Sequence, residues 1–143
     1  MSNFSTAIDG LVTVLEANIT LPSPLKVFKS PPDAINQFPA AVILADALDY
    51  EIVFGANTFE VTVPLVLLVS SGDATNGFDL LYEHLDPTEA SKSVKKAIDT
   101  DPTLNGSVDY ARVMSANGIG RRTDFGGFFF GAQFLIEFVK SVA

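Results

Sequence analysis

The stretch that decides the fold is Thr58-Phe59-Glu60-Val61-Thr62-Val63-Pro64-Leu65-Val66-Leu67-Leu68-Val69-Ser70. Side chains along an extended chain point alternately to its two faces, so Phe59, Val61, Val63, Leu65, Leu67 and Val69 share one side. Glu60 and Thr62 begin the opposite side, and Val66 and Leu68 continue it. This is one long strand with a fully apolar face and a second face that turns apolar half-way along. Either that end is covered on both sides, or Pro64 marks a bulge that shifts the phase.

Upstream, Gly55-Ala56-Asn57 reads as a hairpin loop from a strand over Tyr50 to Phe54, and Ala40 to Ala45, behind Pro39, forms another short apolar strand. The segment 21–38 carries Pro22, Pro24, Pro31, Pro32 and the residues between. Proline fixes φ and removes a donor, so this is an extended, surface-running arm with at most an edge strand. Before it, Phe4, Ile8, Leu11 and Leu15 lie on one stripe of an amphipathic helix that Ser2 or Asn3 caps and Gly10 weakens.

Downstream, Ser70-Ser71-Gly72-Asp73 ends the long strand, and Phe78, Leu81 and Leu85 repeat at helical spacing up to Asp86-Pro87. Ser91 is read as the cap of a short helix from Lys92 to Asp99, with Val94, Ala97 and Ile98 inward and Lys92, Lys95 and Lys96 on a solvated face. A strand from Ser107 to about Ala116, a glycine-rich loop from Asn117 to Gly127 and a last strand from Phe128 to about Val139 complete the chain. In that last strand Phe128, Phe130, Phe134, Ile136 and Phe138 share a face. Helices grouped rather than alternating with strands predict an α+β fold: a mostly antiparallel sheet of four to five strands, with the N-terminal helix and a pair of mid-chain helices packed on it. The 143 residues read as a single domain.

Nine Lys and Arg against 17 Asp and Glu leave a net charge of −8, the wrong sign for neutralising phosphates, so specific binding to nucleic acid or to an anionic membrane is not expected. With no cysteine there is no disulfide framework, thiolate zinc site, iron–sulfur cluster or Cys nucleophile. The first residues carry no basic flank and no apolar run is long enough to span a bilayer, so synthesis in the cytoplasm is expected. Only 18% of residues are charged while 48% are hydrophobic, which fits either surface hidden against partners or a well-filled core.

No catalytic, cofactor-binding or metal centre is legible. His84 is the lone histidine and reads as structural, and no run has the ligand spacing of a calcium loop. A nucleophile elbow is absent. Asp46, Asp49 and Glu51 cluster as some of 17 acids will. Gly118-Ile119-Gly120-Arg121-Arg122 lacks the third glycine of a dinucleotide fingerprint and the Gly-Lys-Ser/Thr ending of a P-loop, and it precedes a strand. Two readings of that loop stand: an ordinary hairpin loop, or a contact loop in which Arg121, Arg122, Asp124 and Phe125 meet a partner. Arg112 on the preceding strand, and Lys26 and Lys29 on the arm, are the other candidate interaction residues.

The linear pattern also resembles the tail terminator (tail completion, tail-to-head joining) proteins of long-tailed bacteriophages. The resemblance is carried by the N-terminal helix and proline-broken segment, by Phe38-Pro39-Ala40-Ala41-Val42-Ile43-Leu44 entering the sheet, and by Phe59-Glu60-Val61-Thr62-Val63-Pro64-Leu65 as the middle strand. It is carried most by Ser91-Lys92-Ser93-Val94-Lys95-Lys96-Ala97-Ile98-Asp99-Thr100-Asp101-Pro102-Thr103-Leu104-Asn105-Gly106-Ser107-Val108, with its D-x-T-L-x-G turn, and by the closing Gly131-Ala132-Gln133-Phe134-Leu135-Ile136-Glu137-Phe138. It covers most of the chain.

What it implies is a structural virion protein without enzymatic activity, located in the tail or neck and assembled in the host cytoplasm. It implies a homohexameric ring that caps the tail tube protein, ends its polymerisation and meets a head-completion protein, with DNA passing through the lumen. Another neck protein, such as a head-closure component, is the nearest alternative. A small-molecule-binding domain with Tyr50, Tyr82, Tyr110 and phenylalanines around a pocket is a more distant one.

Overall fold

The computed structural model of the protein describes residues 3–21, 23–44, 49–53, 58–71, 76–89, 91–123, 125 and 127–141, with backbone alone at 3, 49–53, 59 and 71. The fold is α+β, a mostly antiparallel sheet with helices on one face. Its centre is β4 (Thr58–Ser71), and β6 (Phe129–Ser141) runs antiparallel to it over its whole length.

On its other side β4 has two neighbours in succession: β3 (Asp49–Val53) against Thr58 to Thr62 and β2 (Ala40–Ile43) against Leu65 to Leu68, both antiparallel. Pro64 falls at the seam. Its carbonyl accepts from the Leu44 N–H at 2.9 Å. In an antiparallel ladder a residue's N–H and C=O face the same neighbour, so the donor that proline lacks would face Leu44, just past the end of β2, and its loss costs the ladder one bond at its end. A proline is therefore tolerated in a central strand.

β1 (Lys26–Phe28) lies parallel to β2 at one end, and β5 (Tyr110–Arg122) lies antiparallel to β6 at the other, giving the order β1-β2-β4-β6-β5 with β3 beside β4. The proline-broken arm is thus more than a surface run. Leu25 and Val27 are buried at its strand, and Ile35 and Phe38 pack beneath the far face of the sheet.

The helices α1 (Asn3–Asn18), α2 (Gly77–Leu85) and α3 (Val94–Thr100) cover the face presented by Val61, Val63, Leu65, Leu67 and Val69 of β4 and by Phe130, Phe134, Ile136 and Phe138 of β6. The opposite face is divided. Val66, Leu68 and Phe129 are buried under Ile35, Phe38, Leu44 and Phe125, while Glu60, Thr62, Glu137 and Val139 stay partly open. Double coverage thus explains the apolar half of β4. The bulge in that strand lies at Val69, between Leu68 and Ser70, and not at Pro64.

Gly10 has a packing reason: a methyl there would overlap the Leu104 carbonyl oxygen and Ser107 Oγ, so α1 comes down directly on the turn after α3. That turn holds Leu104, Asn105 and Gly106 at φ 49°, 60° and 79°, three successive left-handed residues. Leucine in this region costs about 1–2 kcal/mol. Asp101 offsets it by accepting from Thr103 Oγ1 (2.9 Å) and the Asn105 N–H (3.1 Å), and Thr103 Oγ1 accepts from the Gly106 N–H (3.3 Å). Leu104 is fully buried.

Several boundaries differ from the sequence reading. The cap of α3 is Ser93, whose Oγ accepts from the Lys96 N–H at 3.1 Å, whereas the Ser91 carbonyl is taken by the N–H groups of Thr20 and Leu21. Residues 107–109 belong to the turn before β5. That strand runs on through Arg122, so most of the expected 117–127 loop is paired strand. Phe128 stands before β6 and is 73% exposed, outside the phenylalanine face expected to include it. The hairpin loop at 55–57 lies outside the described residues. No helix among the described residues is long and apolar enough to cross a membrane.

Candidate functional site

Among the described residues no cluster of His, Asp and Glu is arranged to hold a metal ion. His84 is buried, at 1% exposure, with Nδ1 2.7 Å from the Lys92 carbonyl oxygen. A carbonyl only accepts, so Nδ1 carries the hydrogen. Burial lowers the His84 pKa from its ordinary value and the Lys92 contact opposes that shift, which leaves a neutral ring tying α2 to the segment before α3. Lys92 Nζ meets Glu83 at 2.9 Å beside it. This is structural chemistry.

A small cavity of about 200 Å³ lies between α1 and the Asp101 turn, beside Thr6, Asp9, Thr13 and Asn105. Its one acid, Asp9, is engaged by Lys29 Nζ at 2.9 Å.

β5 is the unusual element. It is a 13-residue edge strand, and no strand among the described residues pairs with its outer side. It pairs with β6 through two bulges, one extra residue at Met114 and one at Gly118-Ile119. Gly118 (φ 58°) and Gly120 (φ 131°) supply the left-handed conformations that the second bulge needs. This is why a glycine-rich segment, read from sequence as a loop, stays in the sheet. Arg122 braces the bulge by donating from Nη1 to the Gly118 carbonyl at 3.1 Å.

All three arginines of the chain are on this strand, and it contains no acid. Three positive charges here, in a chain of net −8, leave −11 for the rest. Arg112 Nε bonds Glu137 Oε1 across the strands at 3.0 Å, on the face away from the helices. Arg121 stacks its guanidinium 5.4 Å from the Phe130 ring centre on the helix face. Phe78 of α2 meets Phe130 edge-on at 5.1 Å, Tyr82 is 6.1 Å from Phe78, and the Phe78 ring also lies against Gly120. Phe78, Tyr82, Tyr110, Met114 and Ile119 are all exposed. Arginine and aromatic side chains brought together on an accessible edge are the residue types favoured at protein interfaces.

At the opposite edge β1 is tied to α1. The Val27 N–H of β1 donates to Glu16 Oε2 of α1 at 3.0 Å, which occupies an outward donor of that strand. Lys29 is held by Asp9, and Lys26 sits 5.7 Å from the Phe28 ring centre. The candidate residues are thus split: Arg112, Arg121 and Arg122 lie together on one edge, Lys26 and Lys29 on the other. Phe125 packs inward against the cluster around Leu68, and Asp124 lies outside the described residues. Tyr82 and Tyr110 are exposed on separate elements, α2 and the start of β5, and Tyr50 is in β3. Sequence reasoning missed Glu16, whose role depends on a partner 11 residues away. It also missed the Phe78/Tyr82 pair, whose i, i+4 spacing on a helix was a usable signal.

Compared with known proteins, the chain matches no family model and no curated protein.

Proposed function

We propose that this chain is a non-enzymatic structural assembly protein of the tail terminator kind. Six copies close into a ring that caps a phage tail tube, ends its polymerisation and presents a surface to the head-completion protein. Its place is the tail or neck of the virion, after assembly in the host cytoplasm. The observation that carries the reading is β5, a long edge strand with exposed apolar residues and every arginine of the chain.

The fold supports it in two further ways. The D-x-T-L-x-G segment, which carries most of the resemblance, is a self-bonded turn seated under α1, a device for holding a fold and not for chemistry. The helices occupy one face of the sheet only, which leaves both the edge and half of the other face available for contact. Rings are built from heterologous contacts that close after a fixed rotation.

The test is the mass of the purified protein in solution, together with negative-stain imaging after mixing with tail tubes. Rings, or tubes capped at one end, are the expected result. Attachment to filled heads and not to tails would transfer the protein to the head-closure class, and a monomer that ignores both would overturn the proposal.

A further inference from the structure

The chain contains three Asn-Gly pairs: Asn76-Gly77, Asn105-Gly106 and Asn117-Gly118. Glycine after asparagine is the setting in which the side-chain amide is lost most readily, because the glycine nitrogen has no neighbouring side chain to hinder its approach. The middle pair falls inside the D-x-T-L-x-G segment.

The reaction needs only water. The Gly106 nitrogen gives up its proton and attacks Asn105 Cγ. The new N–Cγ bond closes an imide ring, the C–N bond of the side-chain amide breaks, and that nitrogen leaves as ammonia with the proton. Water then opens the imide. Attack at Cγ leaves aspartate; attack at the backbone carbonyl carbon leaves isoaspartate, in which the main chain runs through Cβ and Cγ.

Asn105 and Gly106 are both exposed, and among the described residues the Asn105 side-chain amide has no hydrogen-bond partner. Burial therefore does not protect the pair. Its backbone conformation does. Leu104 to Ser107 form a type I′ turn: the Ser107 N–H donates to the Leu104 carbonyl at 3.2 Å, and the central Asn105 and Gly106 have φ 60° and 79°. The first central residue of such a turn has ψ of about +30°, which sets the next nitrogen nearly opposite Cβ. Ring closure needs that nitrogen on the side of Cβ, at the ψ of about −120° found there in a type II′ turn.

Passing from one turn to the other means turning over the peptide unit between Asn105 and Gly106. The Gly106 N–H belongs to that unit and donates to Thr103 Oγ1 at 3.3 Å. Thr103 Oγ1 is itself fixed by Asp101 Oδ1 at 2.9 Å, and Asp101 Oδ2 takes the Asn105 N–H at 3.1 Å. We infer that Asn105-Gly106 is a site of spontaneous deamidation and backbone isomerisation, and that the bonds of Asp101 and Thr103 are the latch that keeps it unreactive while the turn is closed. The inference is independent of what the chain assembles with.

Modification makes an opening of the turn permanent. Asn105 lines the cavity between α1 and the turn together with Asp9, so either product places a new carboxylate beside Asp9 and close to Asp101. Isoaspartate also lengthens the main chain within the turn. α1 rests there without clearance, Gly10 lying against the Leu104 carbonyl oxygen and Ser107 Oγ, and a lengthened turn cannot reseat it.

The chemistry is slow beside local opening, so the rate in the folded chain is the open-chain rate multiplied by the fraction of molecules with the turn open. The test follows Asn105 by digestion and mass spectrometry, with chromatography to separate aspartate from isoaspartate, during long incubation in mildly alkaline buffer. The chain is held folded and in urea, beside Asp101→Ala and Thr103→Val checked as folded by circular dichroism. In urea Asn105 converts to both products, and in the folded parent about tenfold more slowly or less. Both variants convert Asn105 about tenfold faster than the folded parent, as loss of the latch bonds predicts. Asn76, before α2, and Asn117, paired with Gln133 in β5, are held by other elements and keep their parental rates. Equal rates at Asn105 in the folded and urea samples overturn the inference. So do folded variants that react no faster than the parent, or that speed up at all three pairs alike.

Discussion

Replacing Gly10 by alanine tests the tightest contact in the fold. On an exposed helix the change stabilises by about 1 kcal/mol, because glycine is the poorer helix former. Here the new methyl overlaps the Leu104 carbonyl oxygen, which already accepts from the Ser107 N–H at 3.2 Å and from Ser107 Oγ at 2.6 Å. That oxygen cannot yield easily: Leu104 is fully buried, left-handed at φ 49°, and flanked by the bonds of Asp101 and Thr103. The helix must lift instead, which loosens Leu11 and Leu15 in the core. Overpacking costs about 1–3 kcal/mol, and a clash with a backbone oxygen that cannot move aside falls in the upper half of that range, about 2–3 kcal/mol. Set against the propensity gain, the net is a loss of about 1–2 kcal/mol, a melting temperature lower by roughly 3–8 °C. Urea unfolding should show a lower midpoint with an unchanged slope. Gly106→Ala is the contrast, since nothing lies within 4 Å of its added methyl and only its φ of 79° opposes the change. A Gly10→Ala variant as stable as the parent, or more so, would refute the close approach of α1 to the turn.

Three other outcomes are expected. His84 is held neutral by burial, with a folded pKa below the unfolded value of about 6.5, so the unfolded chain binds the proton first. The stability it provides is full above about pH 6.5 and falls as the pH drops from there toward the folded pKa, and thermal melts of His84→Gln across pH 7 to 5 should lack that component. Asp86 and Asp109, held below the usual carboxylate range by hydrogen bonds from Thr88 and Ser141, act only in a more acidic range, so the two effects separate. Asp101→Ala removes both carboxylate acceptors of the left-handed turn and should cost about 1–3 kcal/mol by urea unfolding, with Asp101→Asn less harmful. Replacing Arg121 and Arg122 together by alanine should weaken ring or tube attachment by light scattering and electron microscopy while leaving the fold intact, and normal tail length and joining would count against an interface role for them.

The long strands were legible because their signal is local and repeated. Alternation along β4 and β6 names the core face outright, and the i, i+4 stripe of α1 needs no tertiary information. What escaped the sequence depends on neighbours far along the chain. β1 has only three residues between prolines, too short for a periodic signal, and it exists because β2 offers a parallel partner and Glu16 fills its outer donor. The Asn117 to Gly127 segment carries every local mark of a loop, yet β6 holds its first six residues, Asn117 to Arg122, in the sheet, with Gly118 and Gly120 in a bulge. Of the candidate site, the arginines could be named from the sequence. That they share an edge with no strand beyond it among the described residues could not, because strand order is a property of the fold.

The two outer edges are protected by different chemistry, and the difference has a functional consequence. A long unpaired strand is a hazard, since it accepts any extended segment of suitable pattern. Glu16 deals with β1 by occupying a backbone donor, which closes that position to every partner alike. β5 carries three arginines and no acid, so a second β5 laid against it would meet like charge. The bulges at Met114 and Gly118-Ile119 add a shape condition, since they interrupt the regular repeat that indiscriminate stacking needs. Charge of one sign and an interrupted repeat thus guard β5 against stacking on its own copies while leaving its backbone groups in place.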